Sequence, residues 1–300
     1  MDWFAQLPAL PIIAPLLVAP LLTLARSGRL AHVAASATAL FAFACCALLL
    51  REVIASGPIS YRMGDWAPPI GIEYRIDLAN GLVLTLISGI SALVIPFSFE
   101  SIRKEIDARQ LPLFFAAMLI CMTGMLGVVI TGDAFNVFVF LEIASLSTYT
   151  LVALGARRDR RALTAAYNYL VMGTIGATFF VIGLGLLYQS TGTLNMADIA
   201  RLLATGQRPV LAESAAVMLA CAFLLKSAVF PFHFWPPDFH TTAPTPLSAM
   251  LSSVVVKVGI YGLIRLTTLL FTAEAGIIGD ILLVLGIIGI FFGSLNALRT

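Results

Sequence analysis

"LLKSAVFPFHFWPPDFHTTAPTP", Leu224–Pro246, places a lysine inside an apolar run and follows it with five prolines. Pro231 removes a backbone donor and clashes with the carbonyl four residues earlier. The helix carrying Lys226 is therefore expected to break about one turn past the lysine. A charge beside a broken helix is tolerated at membrane depth only where the backbone lines a polar cavity, a feature of binding sites in transporters. The reading turns on whether the flanking runs cross a membrane.

They have the composition to do so. Hydrophobic residues make up 60% of the 300-residue chain and charged residues only 11%, whereas a soluble domain carries roughly a quarter charged residues. Apolar runs of about 20 residues without strict alternation favour helices over strands. The fold class expected is an all-α polytopic membrane protein with a broken seventh helix. Nine spans are expected, near 7–25, 31–50, 78–99, 112–131, 133–156, 163–189, 213–232, 246–271 and 275–297.

Two connections are longer. Residues 51–77, with "YRMGDWAPPIGIEYRID", alternate around a Trp-Ala-Pro-Pro turn and predict an extramembrane hairpin. Residues 190–212 contain "TLNMADIARLLATG", which predicts a short amphipathic helix ending at Gly206 and lying on the membrane surface. The apolar N-terminal run lacks a basic segment before it, so it reads as a retained span rather than a cleaved leader.

Arginine and lysine divide unevenly between alternate loops. One set holds Arg26, Arg29, Arg103, Lys104, Arg109 and the run Arg157-Arg158-Asp159-Arg160-Arg161; the other holds Arg51, Arg62, Arg75, Arg201 and Arg208 on longer segments. The denser set is expected to be cytoplasmic, placing the N-terminus outside. The four cysteines (Cys45, Cys46, Cys121, Cys221) all lie in apolar runs with no paired spacing, and read as small buried hydrophobes. No set of oxygen or imidazole groups has metal-ligand spacing, so no metal and no cofactor are expected.

Three ionisable side chains fall well inside spans: Glu142, Lys226 and Lys257. Glu142 is roughly 14 Å along its helix at 1.5 Å per residue, near the middle of a ~30 Å hydrocarbon core. A charge there costs about 2.5–3.5 kcal/mol on insertion scales. Ser145 lies one turn from Glu142. Ser253, Lys257, Tyr261 and Arg265 step by four along the eighth helix, predicting a polar stripe that faces protein or water. Lysine suits proton transfer, because burial disfavours its ammonium while a nearby carboxylate favours it. The alternative is a static ion pair that locks two helices together. His233, Asp238 and His240, in the irregular stretch after Pro231, either exchange protons or satisfy loose backbone groups.

The segment from Lys226 to Arg265, "KSAVFPFHFWPPDFHTTAPTPLSAMLSSVVVKVGIYGLIR", resembles the signature of the antiporter-like membrane subunits. These are found in Mrp-type Na⁺/H⁺ antiporters, in complex I (NADH-quinone oxidoreductase) and in related hydrogenases. "TGDAFNVFVFLEIASLSTYTLVA" is similar to the family's fifth helix, and "GDWAPPIGIEYRIDLANGLV" with "TGTLNMADIA" to the D-type member of the Mrp antiporters. The resemblance covers essentially the whole chain. It implies a fold of about fourteen helices with inverted repeats, of which this chain is the N-terminal part. On that scheme residues 1–111 are N-terminal helices, 112–271 the first repeat and 272–300 the start of a truncated second. The end at "GSLNALRT", with no tail, fits a fragment of a longer protein. The resemblance also implies that Glu142 and Lys226 form the pair of a first half-channel and that Lys257 is a central-axis lysine. One departure is Asn168, in "YNYL", where many relatives carry a lysine; another is the doubled Pro236-Pro237.

The function expected is a proton-translocating subunit of a multisubunit monovalent cation/proton antiporter, in the inner (plasma) membrane. The other reading in the same class is a pumping subunit of a complex I-like oxidoreductase or membrane hydrogenase, without a redox centre of its own. A third is a structural subunit with static buried charges. Expected partners are other subunits of a hetero-oligomeric complex, the lipid bilayer and protons, with Na⁺ or K⁺ left open and no nucleic acid. No nucleophile–base set or phosphate loop marks a stand-alone enzyme, and the glycines of "GTIGATFF" read as helix-packing positions.

Overall fold

The computed structural model describes residues 6–205 and 210–298. Seven helices among these are long and apolar enough to cross a membrane. Two shorter ones, α1 (Leu10–Thr23) and α8 (Val210–Lys226), occupy the other two expected spans. The long helices are α2 (Gly28–Ser56), α3 (Leu78–Glu105), α4 (Leu111–Ile130), α5 (Ala134–Ala153) and α6 (Arg161–Thr191). After the short α7 (Met196–Ala204) and α8 come α9 (Pro236–Thr242), α10 (Thr245–Met250), α11 (Val256–Arg265) and α12 (Ala275–Ala297). A π-helical turn at Leu251–Val255 joins α10 to α11, and a second, Leu266–Leu270, follows α11.

Local chemistry sets the helix ends. Asp77 caps α3 by accepting from the Asn80 backbone N–H at 3.0 Å, while the Asn80 side chain returns a bond to the Asp77 backbone. Asp133 caps α5 through the Asn136 N–H at 2.7 Å, and Asn195 caps α7 through Ala197 and Asp198. Gly192 ends α6 with φ of 72°, a conformation that glycine adopts without a Cβ clash.

The hairpin is present but shorter than expected. Helix α2 runs on through Ser56, so residues 51–56 are helical rather than part of the extramembrane segment. Strands β1 (Ile59–Arg62) and β2 (Glu73–Ile76) pair antiparallel, with Tyr61 opposite Tyr74. The apolar residues of α2 continue to Val53, which is buried, and packing carries the helix past the sequence boundary. Helix α7 is amphipathic as expected and buries Ile199 and Leu203; the expected terminus at Gly206 lies outside the described residues.

The loops sort onto two opposite faces. On one face, Tyr74 bridges Thr131 and Asp133 bridges Asn195, so the hairpin, the α4–α5 turn and the α6–α7 turn are tied together. Buried Glu73 sits within this knot and accepts from Ser60 and Asn195. On the other face, Arg157 pairs with Asp107 at 2.8 Å, and Glu105 accepts from Arg158 and from the Thr245 backbone. This second face carries the arginine-dense loops. Helix α4 forms the centre of the bundle, with Gly124 packed directly on Ala144 of α5 and Gly127 on Phe140.

Candidate functional site

The break after Lys226 begins earlier than Pro231 alone predicts. Helix α8 stops at the lysine itself instead of a turn beyond it. Ala228 adopts a left-handed conformation, φ 53°. The Val229 N–H bonds back to Leu224 at 3.1 Å and the Ala228 N–H to Leu225 at 3.2 Å. These two bonds form a Schellman cap, which closes the last turn before the proline is reached. Pro231 then excludes helical geometry from the residues leading into it, so the chain cannot resume a helix until Pro236. The indole of Trp235 donates to the Leu225 carbonyl at 3.3 Å and secures the turn from the other side.

Lys226, freed at the helix terminus, reaches across to α5. Its Nζ donates to Ser145 Oγ at 2.6 Å and stands 3.6 Å from Glu142 Oε1. The lysine side chain is 9% exposed and the glutamate 27%. Glu142 is the ninth residue of α5, at mid-helix. Gly176 of α6 packs against the same turn, where a Cβ would crowd Leu225 Cδ2 at 3.3 Å. The glycine positions of "GTIGATFF" thus serve close packing: Gly173 meets Tyr149 and Gly176 meets Leu225.

The remaining candidates are more dispersed. Ser253 bonds within its own helix to Ala249, and Lys257 is exposed, its Nζ folded onto the Ser252 carbonyl. Tyr261 is buried and donates to the Val129 carbonyl of α4 at 3.2 Å. The expected continuous stripe is therefore interrupted. The π-helical turn at 251–255 shifts Ser253 out of register with α11, and within α11 Lys257 is exposed where Tyr261 is buried. His233 packs between the rings of Phe230 and Phe292, His240 meets Ser248, and Asp238 and Pro231 are exposed. Asn168 is also exposed, while its neighbour Tyr169 points into the bundle.

One cluster was not legible beforehand. Arg265, the last residue of the expected stripe, donates to Asp77 at 2.6 Å and to the Tyr261 hydroxyl at 2.9 Å. Burial works against the Asp77 carboxylate, but the Asn80 N–H, the Arg265 guanidinium and the Ala79 N–H outweigh it and hold its pKa below the ordinary value. The partners stand 188 residues apart. The only local signals were an N-cap aspartate and an arginine near a helix end.

A multi-pass helical bundle with a broken helix and a buried carboxylate–lysine pair defines a class of membrane subunit. The chain belongs to the NADH:quinone oxidoreductase/Mrp antiporter transmembrane family, whose model matches residues 131–300, more than half of it. It is 41% identical to the N subunit of the NADH-quinone oxidoreductase of Desulforudis audaxviator, over 98% of this chain and 59% of that protein. It is 29% identical to the D subunit of the Na⁺/H⁺ antiporter of Bacillus subtilis, over 96% of this chain and 58% of that one. The chain thus spans somewhat over half the length of these relatives.

Among solved structures, the Mrp complex from Dietzia superposes with a TM-score of 0.81 at 25% identity, covering 91% of this chain and 50% of the other. The membrane-bound sulfane sulfur reductase, an archaeal respiratory membrane complex, gives 0.78 at 32% identity, covering 88% and 53%.

Proposed function

We propose that this chain forms the proton-translocating part of an integral membrane subunit in a multisubunit monovalent cation/proton antiporter. Glu142 and Lys226 act as the buried relay, within a first repeat at 112–271. The observation that carries the reading is the contact of Lys226 with both Ser145 and Glu142, at the end of a helix broken inside the membrane. Ser145 holds the ammonium while the carboxylate lies just beyond hydrogen-bond distance, so a small movement exchanges one partner for the other. When the carboxylate recedes, the buried ammonium becomes the costlier state and gives up its proton. Lys257, on the exposed face of α11, is the proposed next acceptor, with His233, Asp238 and His240 in support.

The arginine-dense face is assigned to the cytoplasm, with the N-terminus outside and the protein in the inner (plasma) membrane. Partners are the other subunits of the complex, and Na⁺ or K⁺ is the exchanged cation. A redox-driven assembly is the second reading, favoured by the 41% identity to a component of an NADH-quinone oxidoreductase. Purification of the native complex and identification of its co-purifying subunits separates the two. Glu142→Gln and Lys226→Ala, made in the full-length protein within its assembled complex, test the relay. Proton transport is expected to be abolished in both; transport at the wild-type rate with normal assembly would make the pair static and sink the proposal.

A further inference from the structure

Tyr149 stands two turns along α5 from Glu142 and one turn from Ser145, on the same face. It is 7% exposed, and its hydroxyl has no hydrogen-bond partner among the described residues. Its ring is fixed edge-on to Tyr169 at 4.6 Å. Tyr169 lies flat on Trp235 at 4.4 Å, and Trp235 in turn holds the carbonyl of Leu225, next to Lys226. The hydroxyl is pressed against Gly173 of α6, where any Cβ would overlap it. Packing alone does not account for that oxygen. Phenylalanine would fill the same space without burying an unsatisfied polar group, which costs about 1–3 kcal/mol.

Glu142 Oε1, 3.6 Å from the Lys226 ammonium, and Ser227 Oγ are also buried without a hydrogen bond. Buried polar groups left unpaired by the protein are binding positions for water. The ladder Glu142, Ser145, Tyr149 covers roughly 10 Å of helix. It leads from the mid-membrane pair toward the end of α5, where Arg157 and Arg158 begin the arginine-dense face.

We propose that the Tyr149 hydroxyl is a proton-relay group between the Lys226–Ser145 contact and the arginine-dense face, with Ser145, one turn away, as its partner on the lysine side. This deepens the Glu142–Lys226 reading and rests on it. The phenol oxygen takes a proton on its lone pair as it releases its own to the next acceptor. One O–H bond forms as another breaks, and Tyr149 returns neutral. Gly173 keeps the space that lets the hydroxyl turn between its two neighbours.

The test is Tyr149→Phe in the full-length protein within its assembled complex. Proton transport and its solvent isotope effect are measured in vesicles, beside Glu142→Gln. Tyr149→Phe is expected to assemble and to melt no lower than the wild type, with transport lowered about tenfold or more. Transport within twofold of wild type, while Glu142→Gln is inactive, overturns the role of Tyr149 and leaves the carboxylate–lysine relay standing. Normal transport in both variants defeats the relay as well. If Tyr149→Phe does not assemble, 3-fluorotyrosine at position 149 decides. It keeps the hydroxyl and the packing while changing acidity, so an altered rate and isotope effect support the relay and unchanged values refute it.

Discussion

Helices α4 and α12 share the same mean hydropathy, 2.5 over their most apolar windows, yet 83% of the α4 window is buried in the protein and none of the α12 window. Hydropathy measures fitness for lipid, which is a property of composition. Burial by protein depends on which side chains let neighbours approach. In α4 Gly124 and Gly127 are each in direct contact with α5; α12 stands at the edge of a chain that spans 58–59% of its relatives' length, and Gly286 and Gly293 have no neighbour within it. The two lysines expected at mid-span repeat the contrast. Lys226 is enclosed and paired, while Lys257 is exposed and turned back on its own helix.

Substitutions in the purified 300-residue chain can break this contrast, with thermal unfolding in detergent as the readout. Lys226→Ala strips Glu142 of its cation and is expected to cost about 3 kcal/mol, whereas Lys257→Ala should change stability by under about 0.5 kcal/mol. Equal losses would mean that Lys257 is enclosed too. Gly124→Leu must displace Ala144 of α5 and is expected to cost about 2–3 kcal/mol, against no measurable change for Gly286→Leu.

Asp77→Asn should cost about 2 kcal/mol by weakening the bond to Arg265. Because the folded Asp77 pKa is lowered, its stabilising contribution is complete above the ordinary value of about 4 and is lost as pH falls through the lowered one. The gap between wild type and Asp77→Asn should therefore close on acidification. A gap that stays constant would remove the charge from the explanation. The smallest effect is a gain: Ala228→Gly relieves the left-handed backbone and should stabilise by about 1 kcal/mol.

Much of the architecture was written in local pattern. Apolar run lengths placed the spans, and alternation around Trp66-Ala67-Pro68-Pro69 placed the hairpin. A proline five residues beyond a lysine announced the break. What stayed hidden was non-local or depended on single-residue backbone detail. Asp77 and Arg265 meet because α3 and α11 end on the same face, and no spacing rule links them. The π-helical turn at Leu251–Val255 leaves a sequence that reads as unbroken helix. Ala228 in a glycine-like conformation moved the break back to Lys226, since nothing in alanine advertises a left-handed cap. Glu142, Ser145 and Lys226 were legible because charge at mid-span is costly; Tyr149 was not, because a tyrosine in an apolar run looks like packing.

The knot of β2 with the α4–α5 and α6–α7 turns has a mechanical consequence. Gly132 donates to Glu73 at 2.8 Å, Met196 donates to Gly132 at 2.9 Å and Ala134 donates to Leu194 at 2.8 Å, stitching three connections edge to edge. The opposite face is held by side-chain pairs such as Arg157 with Asp107, and the broken stretch 227–235 by turn bonds and Trp235, so both are less firmly stitched than this rim. Amide hydrogen exchange should show it as slow exchange at Gly132, Ala134 and Met196 and fast exchange through the stretch beyond Lys226. Motion is thereby directed to the place where the lysine sits.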